Sequence, residues 1–325
     1  MSDLLPWNEP LLRRIRREDL PHALLIQGVQ GVGKLALAER LAQLILCEAA
    51  QEATRPCGAC EGCRWYLAGN HPDFRRIEPE ALMPRTEPEE GDEAPAAKRG
   101  KPSLEIKVDQ VRELASFLHV GSHRGARRVA LVHPAEDMNA AAANALLKGL
   151  EEPPPAAMFI LVSHRPARLL ATVRSRCVRL PVPLPPREAA IEWLKAQGLK
   201  DAERWLAYAG GAPLRALAFA GQAETLDRLV RGIASGADIV VDDRESLEAL
   251  AEALQKFALD RAFTASGLPA KYRTASLKPD AAAAKAWLAY ARRMGENRAL
   301  ARHPLNPRLF AAEMIATMPG DAKHE

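Results

Sequence analysis

The chain has 325 residues, of which 48% are hydrophobic and 26% charged, as expected of a folded protein with two or three domains. Its net charge of +4 permits contact with nucleic acid but does not by itself argue for it. No run of about 18 apolar residues occurs, and the first residues lack the basic-then-apolar pattern of a signal peptide. We therefore expect no membrane span and a cytoplasmic protein.

The first motif is a phosphate-binding loop between a predicted strand and a predicted helix. Residues 22–26 form a short apolar run typical of a buried strand, and apolar residues at helical spacing follow over 35–47. The residues between them match a nucleotide-binding P-loop at Gly28, Gly31, Gly33 and Lys34. The position that normally offers a Ser or Thr hydroxyl to Mg²⁺ is Leu35, which cannot ligate a metal. We expect a vestigial P-loop, and the sequence leaves ATP binding open.

Four cysteines follow at a spacing that suits a metal ion: Cys47, Cys57, Cys60 and Cys63. Four thiolates can close a tetrahedral zinc site, in which C-x₂-C is the recurrent ligand pair. A bacterial iron–sulfur run would continue with C-x₃-C-P, which this sequence lacks, and disulfides are rare in the cytosol. Unligated surface thiols are the remaining alternative, and His71 is a further possible ligand. We predict a structural zinc module over 47–63.

Between residues 80 and 103 the hydrophobic pattern gives way to acidic residues, prolines and a short basic run. A segment of this composition cannot bury a core. We predict that 80–103 is a mobile insertion.

Four further strand candidates and two helices complete an alternating pattern. The strands are predicted over 74–77, 129–132, 158–162 and 177–180, with helices over 108–120 and 139–150. Alternating strands and helices predict a parallel, doubly wound α/β sheet that ends near residue 184.

The residues after the 129–132 strand bear on catalysis. A working P-loop ATPase places an acid for Mg²⁺ at the end of such a strand, often followed by a glutamate that activates water. Here His133 and Pro134 occupy those places, and Mg²⁺ prefers oxygen ligands. Glu136 and Asp137 lie further along and are expected to begin or cap the next helix. Together with Leu35, these residues predict that the chain does not hydrolyse ATP.

The rest of the chain is predicted to be helical. A proline-rich linker around residues 181–186 precedes three helical stretches, and a longer helical region follows Gly221. The predicted division is an α/β domain over 1–184, a three-helix module over 185–221 and an all-α domain over 222–325.

Two segments carry a resemblance to a known family. The run 144–154, Asn-Ala-Leu-Leu-Lys-Gly-Leu-Glu-Glu-Pro-Pro, and the triplet Ser175-Arg176-Cys177 resemble bacterial clamp-loader subunits of the AAA+ class. The cysteine cluster after the P-loop helix is also typical of that family. The defective P-loop and the missing acid pair resemble its members that lack ATPase activity.

This resemblance implies a P-loop AAA+ domain, a helical lid and a helical collar that joins subunits into a ring. It implies a hetero-pentamer with the gamma/tau ATPase subunits and the delta subunit of the DNA polymerase III holoenzyme. The complex would open a sliding clamp and load it on primed DNA. A subunit of this kind contributes to a DNA-directed DNA polymerase complex without hydrolysing ATP itself.

The same resemblance assigns expected roles to single residues. Arg176 would enter the ATP site of an adjacent subunit as an arginine finger, whereas the residue alone would pass as an ordinary surface arginine. Ser163 and Arg215 fall where active relatives place their two phosphate sensors, and here we expect packing or surface roles. Asn144, Lys148 and Glu151 share one face of the predicted helix over 139–151, which is either solvated or in contact with a neighbouring subunit or DNA.

Two other functions remain as alternatives. An active ATP-dependent clamp-loader motor would need a hydroxyl at position 35 and acids at 133–134. A zinc-containing DNA-binding protein would need a basic recognition helix after Cys63, where Trp65, Tyr66, Leu67 and Ala68 stand instead.

Overall fold

The computed structural model of the chain describes residues 4–51, 54–83, 102–119, 127–235, 239, 241–274, 284–301 and 305–319. Its contacts divide into two units, Met1–Leu184 and Pro185–Glu325. None of the helices within these described ranges is long and apolar enough to cross a membrane.

The first unit contains a five-stranded parallel sheet, which confirms the predicted α/β class. Its strands are β1 (Ala23–Gln27), β2 (Phe74–Ile77), β3 (Arg128–Val132), β4 (Ala157–Ser163) and β5 (Val178–Pro181), in the order β2-β3-β4-β1-β5. Every residue of β3 and β4 is buried, as expected of parallel strands covered on both faces. Leu25 in β1 lies opposite Leu161 and Arg179, so the carboxyl ends of these strands meet at one edge.

The described residues of this unit also form six α-helices. They are α1 (Glu9–Arg13), α2 (Lys34–Leu46), α3 (Glu61–Leu67), α4 (Val108–His119), α5 (Ala140–Glu151) and α6 (Ala171–Ser175). The side chain of Asn139 caps α5 by accepting a hydrogen bond of 2.8 Å from the backbone N–H of Ala142. Apolar residues of α4, α5 and α6 pack in one cluster with Leu25 and Val132, while α2 packs against β1, β3 and β4. The sheet therefore has helices on both faces.

The second unit is helical, and its described part contains no strand. Its helices are α7 (Arg187–Ala196), α8 (Ala202–Tyr208), α9 (Pro213–Gly221), α10 (Ala223–Ser235), α11 (Arg244–Ala265), α12 (Ala284–Leu300) and α13 (Pro307–Ala316). Leu194, Trp205 and Ala216 belong to a cluster built mainly from α7, α8 and α9. Phe257 and Trp287 belong to a second cluster, built from α10 to α13. The division into a lid over 185–221 and a collar over 222–325 stays a prediction.

Most of the predicted insertion, residues 84–101, lies outside the described residues. Its two ends are described and are tied together. The N–H of Ala81 donates to the carbonyl of Ser103 at 3.1 Å, and the N–H of Ser103 donates to the Glu80 carboxylate at 3.0 Å. The Nζ of Lys107 lies 2.6 Å from the same carboxylate. The flanks at 80–83 and 102–103 are therefore held together by hydrogen bonds at the edge of the first unit.

Candidate functional sites

The P-loop joins the end of β1 to the start of α2, in the order that a phosphate-binding loop requires. Its lysine, however, is turned inward. The side chain of Lys34 is buried, and its Nζ donates to the carbonyl of Val29 in the same loop at 2.6 Å. Burial lowers the pKa of Lys34 to about 8. The group that reaches the β- and γ-phosphates in an active P-loop is here held by its own loop.

A segment near the N-terminus also closes on this loop, which the sequence patterns did not reveal. The indole N–H of Trp7 donates to the carbonyl of Val32 at 3.1 Å. The amide of Asn8 donates to the carbonyls of Val32 and Gly33 at 2.9 and 3.3 Å. Asn8 is itself buried. These bonds fix the loop backbone from the side of the N-terminal segment.

The strand β3 ends at Val132, so His133 and Pro134 occupy the positions at which an active P-loop ATPase carries its two acids. His133 follows β3 and lies beside His164, which follows β4, with 3.2 Å between their Nε2 atoms. Burial lowers the pKa of His133 to about 4 and that of His164 to about 3, so both rings are neutral at neutral pH. Two neutral imidazoles hydrogen-bonded to each other cannot replace the carboxylate oxygens that Mg²⁺ prefers.

Glu136 and Asp137 lie in a short 3-10 helix, Ala135–Asp137, so they begin the next helical turn as expected but do not cap α5. Asn139 caps α5, while one carboxylate oxygen of Glu136 accepts hydrogen bonds from the backbone N–H groups of His164 and Arg165 at 2.9 and 3.0 Å. Glu136 therefore ties the end of β4 to the segment after β3. Ser163, at the expected sensor position, is fully buried, so it packs within the core.

The four predicted metal ligands lie together. The sulfur atoms of Cys47, Cys57, Cys60 and Cys63 all lie within 4.8 Å of one another. Cys47 follows the last residue of α2, while Cys57 and Cys60 lie in the loop before α3 and Cys63 lies within α3. The sulfurs of Cys47 and Cys60 are 3.9 Å apart, and tetrahedral Zn–S bonds of about 2.3 Å would place two sulfurs about 3.8 Å apart. His71 is outside this cluster; its Nδ1 instead accepts from the N–H of Asp73 at 3.0 Å.

The backbone around these sulfurs suits thiolates. The N–H groups of Glu48, Cys57, Cys60 and Cys63 point at cluster sulfurs over 3.3–3.4 Å. The backbone N–H of Cys60 does most to lower the pKa of Cys57 to about 6, whereas burial raises the pKa of Cys63 to about 12. Four thiolates can share this space only when a cation neutralises them. The donor set therefore fits a metal ion that prefers sulfur.

One glycine makes this arrangement possible. A Cβ atom added to Gly62 would lie 2.6 Å from the carbonyl oxygen of Leu46, at the end of α2. Real Cβ atoms essentially never approach so closely, so only glycine lets α3 pack this near to α2.

Arg176 lies at the end of α6, directly before a buried cysteine and β5. Its side chain is about one-third exposed. One terminal nitrogen donates to the carbonyl of Thr172 at 2.9 Å, and the other lies 2.5 Å from the carboxylate of Glu151, at the end of α5. The predicted arginine finger is therefore at the surface and paired within its own chain.

The second unit holds a buried group of charges that the sequence analysis did not predict. Glu252 in α11 contacts Arg215 in α9, the Nζ of Lys256 at 2.8 Å and Arg298 in α12 at 2.7 Å. The Lys256 ammonium also lies 3.8 Å from the centre of the Tyr208 ring. Arg215, at the expected position of the second sensor, therefore links α9 to α11 and α12 within this unit.

Comparison with known proteins supports the resemblance. The family described as DNA polymerase III, delta subunit, matches residues 7–185. The DNA polymerase III subunit delta' of Pseudomonas aeruginosa is 42% identical over 241 residues, which cover 72% of this chain and 67% of that protein. The subunit delta' of Escherichia coli is 38% identical over 200 residues, covering 61% of this chain and 54% of that protein.

Solved structures also match most of the length of this chain, as one example shows. A gamma subunit-related protein of DNA polymerase III from Thermotoga maritima covers 95% of this chain, and 97% of that protein is matched, at 16% identity and a TM-score of 0.48. The curated relatives are matched over about half to two thirds of their length. From the family match and the 42% identical relative, the chain belongs to the family of DNA polymerase III delta' subunits.

Proposed function

We propose that this chain is a non-catalytic subunit of a DNA polymerase III clamp loader. It would support ATP-driven opening of the sliding clamp and its loading on primed DNA, in a hetero-pentamer with gamma/tau ATPase subunits and a delta subunit. The observation that carries the proposal is the contrast between two sites in the first unit. The nucleotide pocket has lost its metal-binding residues, while an arginine suited to phosphate is held at the surface.

The state of the pocket supports the absence of intrinsic ATPase activity. Leu35 offers no hydroxyl, and His133 and Pro134 offer no carboxylate. Lys34 is held by the carbonyl of Val29. Mg²⁺ normally bridges the β- and γ-phosphates and neutralises the charge that develops during transfer, so a chain without its ligands lacks that chemistry.

Arg176 supports a contribution to a neighbour's chemistry. An arginine supplied in trans stabilises transition-state charge and is worth about 10³–10⁵ in rate at the site that it enters. Arginine suits this role because its planar fork stays charged and can hold two phosphate oxygens. Arg176 can enter only one neighbouring site, so total turnover of the complex would fall by the share of that site.

The test is reconstitution of the clamp loader with wild-type or variant chain. Arg176→Ala should assemble normally but lower ATPase activity stimulated by DNA and clamp, together with clamp loading. Arg176→Lys should rescue poorly, because an ammonium lacks the fork. The matched control is Arg179→Ala, which removes an exposed arginine of β5 and should change neither rate. Unchanged turnover for Arg176→Ala, or steady hydrolysis by the isolated wild-type chain, would refute the proposal.

We further propose that the cysteine cluster holds one structural Zn²⁺ per chain. Its ligands would be Cys47, Cys57, Cys60 and Cys63, and the ion would staple the loop before α3 to the end of α2. Elemental analysis of purified protein should find one zinc per chain. Cys60→Ser should lower that content, whereas Cys177→Ser, at a buried thiol outside the cluster, should not. A fully folded native protein without metal would overturn this assignment.

A further inference from the structure

We infer that Glu151 is a positioning residue for Arg176, which it holds in the orientation needed to meet a neighbour's phosphate. This inference rests on the proposed function, because it assumes that Arg176 acts in trans. It concerns a residue on a different helix, whose contact with Arg176 the sequence did not show.

The backbone of Arg176 is fixed from both sides. Val173, three residues before it in α6, is fully buried, and Cys177, directly after it, is also buried. The N–H of Arg176 donates to the carbonyl of Val173 at 3.2 Å. The Cα position of Arg176 is therefore set by the core, and only its side chain is left to be oriented.

Two contacts orient that side chain. One terminal nitrogen donates to the carbonyl of Thr172, one turn back in α6, at 2.9 Å. The other lies 2.5 Å from the carboxylate of Glu151, whose side chain is about half exposed. A guanidinium has five N–H donors, so these two contacts leave other donors available. The two contacts restrict the orientation of the guanidinium and leave its other N–H donors for an oxyanion.

Restricting the arginine before it meets phosphate makes its binding less costly. A free arginine side chain has many rotamers, and ordering one rotamer-rich side chain at an interface opposes binding by about 2- to 10-fold in an equilibrium constant. Because Glu151 orders the Arg176 side chain when this chain folds, that loss of side-chain entropy does not oppose assembly or catalysis. A bound phosphate can then use the remaining N–H donors while Glu151 keeps its own.

If only the charge of Glu151 mattered, its carboxylate would repel the phosphate, and its removal would speed turnover instead of slowing it. The carboxylate places a negative charge near the site that receives phosphate, so its removal would strengthen attraction if orientation did not matter. Positioning predicts slower turnover without Glu151, and simple charge repulsion predicts faster turnover. The direction of the change therefore tests the inference.

The experiment measures DNA- and clamp-stimulated ATPase of the reconstituted complex. Glu151→Ala should slow the one site that Arg176 enters by about 2- to 10-fold, as expected from losing one ordered side chain. The kcat of the whole complex should therefore fall by at most the share of that site, with little change in KM for ATP. Glu151→Gln, which keeps an acceptor oxygen but not the charge, should give a smaller loss. The matched control is Glu152→Ala, which removes the next, exposed carboxylate on the same helix end and should leave kcat unchanged.

The double variant separates positioning from other effects. If Glu151 acts through Arg176, Glu151→Ala should cause no further loss in a chain that already carries Arg176→Ala, because coupled residues are not additive. An unchanged or faster Glu151→Ala complex, or full additivity in the double variant, would overturn the inference while the finger role stands. If Arg176→Ala alone has no effect, the proposed function fails first.

Discussion

Replacing Glu252 with glutamine tests whether the buried charges of the second unit stabilise it. Glu252 is 9% exposed at its side chain and contacts three cations, Arg215, Lys256 and Arg298. Although burial raises its pKa, these cations outweigh burial, and the pKa of Glu252 falls from 4.5 to about 2. The variant would leave three cations near one another with their shared carboxylate removed.

The expected loss can be worked from that pKa. A shift of one pKa unit corresponds to about 1.4 kcal/mol, so the fold stabilises ionised Glu252 by about 3 kcal/mol. Breaking a buried ion pair by removing one partner typically costs about 3–5 kcal/mol. Lys256 relieves part of this cost, because burial already lowers its pKa to about 7 and the variant would lose its proton readily. We expect a loss of about 3 kcal/mol at pH 7.

The effect depends on pH in a defined direction. The folded pKa of Glu252 lies below its unfolded value of 4.5, so its contribution is fully present above that value. As the pH falls from about 4.5 toward 2, wild-type Glu252 takes up a proton and the contribution disappears. The difference in unfolding free energy between wild type and Glu252→Gln should therefore shrink as the pH falls below about 4.5. It should also shrink as the pH rises from 5 toward 7, because without Glu252 the pKa of Lys256 falls below 7 and the folded variant releases that proton.

Urea unfolding followed by circular dichroism measures this difference, and hydrogen exchange locates it. Exchange should accelerate in α9, α11 and α12, which the charges join, and not in the first unit. The control is Glu245→Gln, an exposed position in the first turn of the same helix, which should stay within about 0.5 kcal/mol of wild type. A Glu252→Gln protein as stable as this control would refute the reasoning.

Three further substitutions have defined outcomes. Gly28→Ala should destabilise the first unit by about 1–3 kcal/mol in urea unfolding, because the new Cβ would lie 2.4 Å from the carbonyl oxygen of Val182; unchanged stability would contradict this packing. Leu35→Thr should not create ATP turnover in a phosphate-release assay, because the acid positions after β3 still hold no carboxylate. Asp260→Asn should speed hydrogen exchange over 268–274, because buried Asp260 accepts from both the N–H and the hydroxyl of Thr274, at 2.8 and 2.7 Å; exchange at the wild-type rate would argue against that staple.

Local sequence patterns predicted much of the fold. The apolar run before Gly28, the glycine loop and the helical spacing after it predicted β1, the loop and α2, and all three are found. The short strand Phe74–Ile77 and the buried strands β3 and β4 were predicted within one residue at each end. Strands and helices that alternate with such clear periods leave few ways to build a sheet. The C-x₂-C spacing likewise predicted which sulfurs would meet.

Contacts between distant side chains could not be predicted in the same way. Asn8 binds a carbonyl 24 residues along the chain, and His133 meets His164 from 31 residues away. The pairing of Glu151 with Arg176 depends on how α5 and α6 pack. Periodicity reports which face of an element is buried, but it does not report which polar groups meet across the gap between two elements.

The inward turn of Lys34 changes how substitutions in this loop should be interpreted. In an active ATPase, loss of the P-loop lysine is used as a diagnostic for nucleotide binding. In this chain the lysine is buried and bonded to Val29, while Trp7 and Asn8 bind the backbone of Val32 and Gly33, so the end of the loop at Lys34 is packed although Val29 and Gln30 are exposed. Lys34→Ala would then remove a buried packing contact together with any contact to nucleotide, so a defect in this variant would combine both losses. The stability of each variant in this loop must therefore be measured before its phenotype is interpreted as an effect on ATP binding.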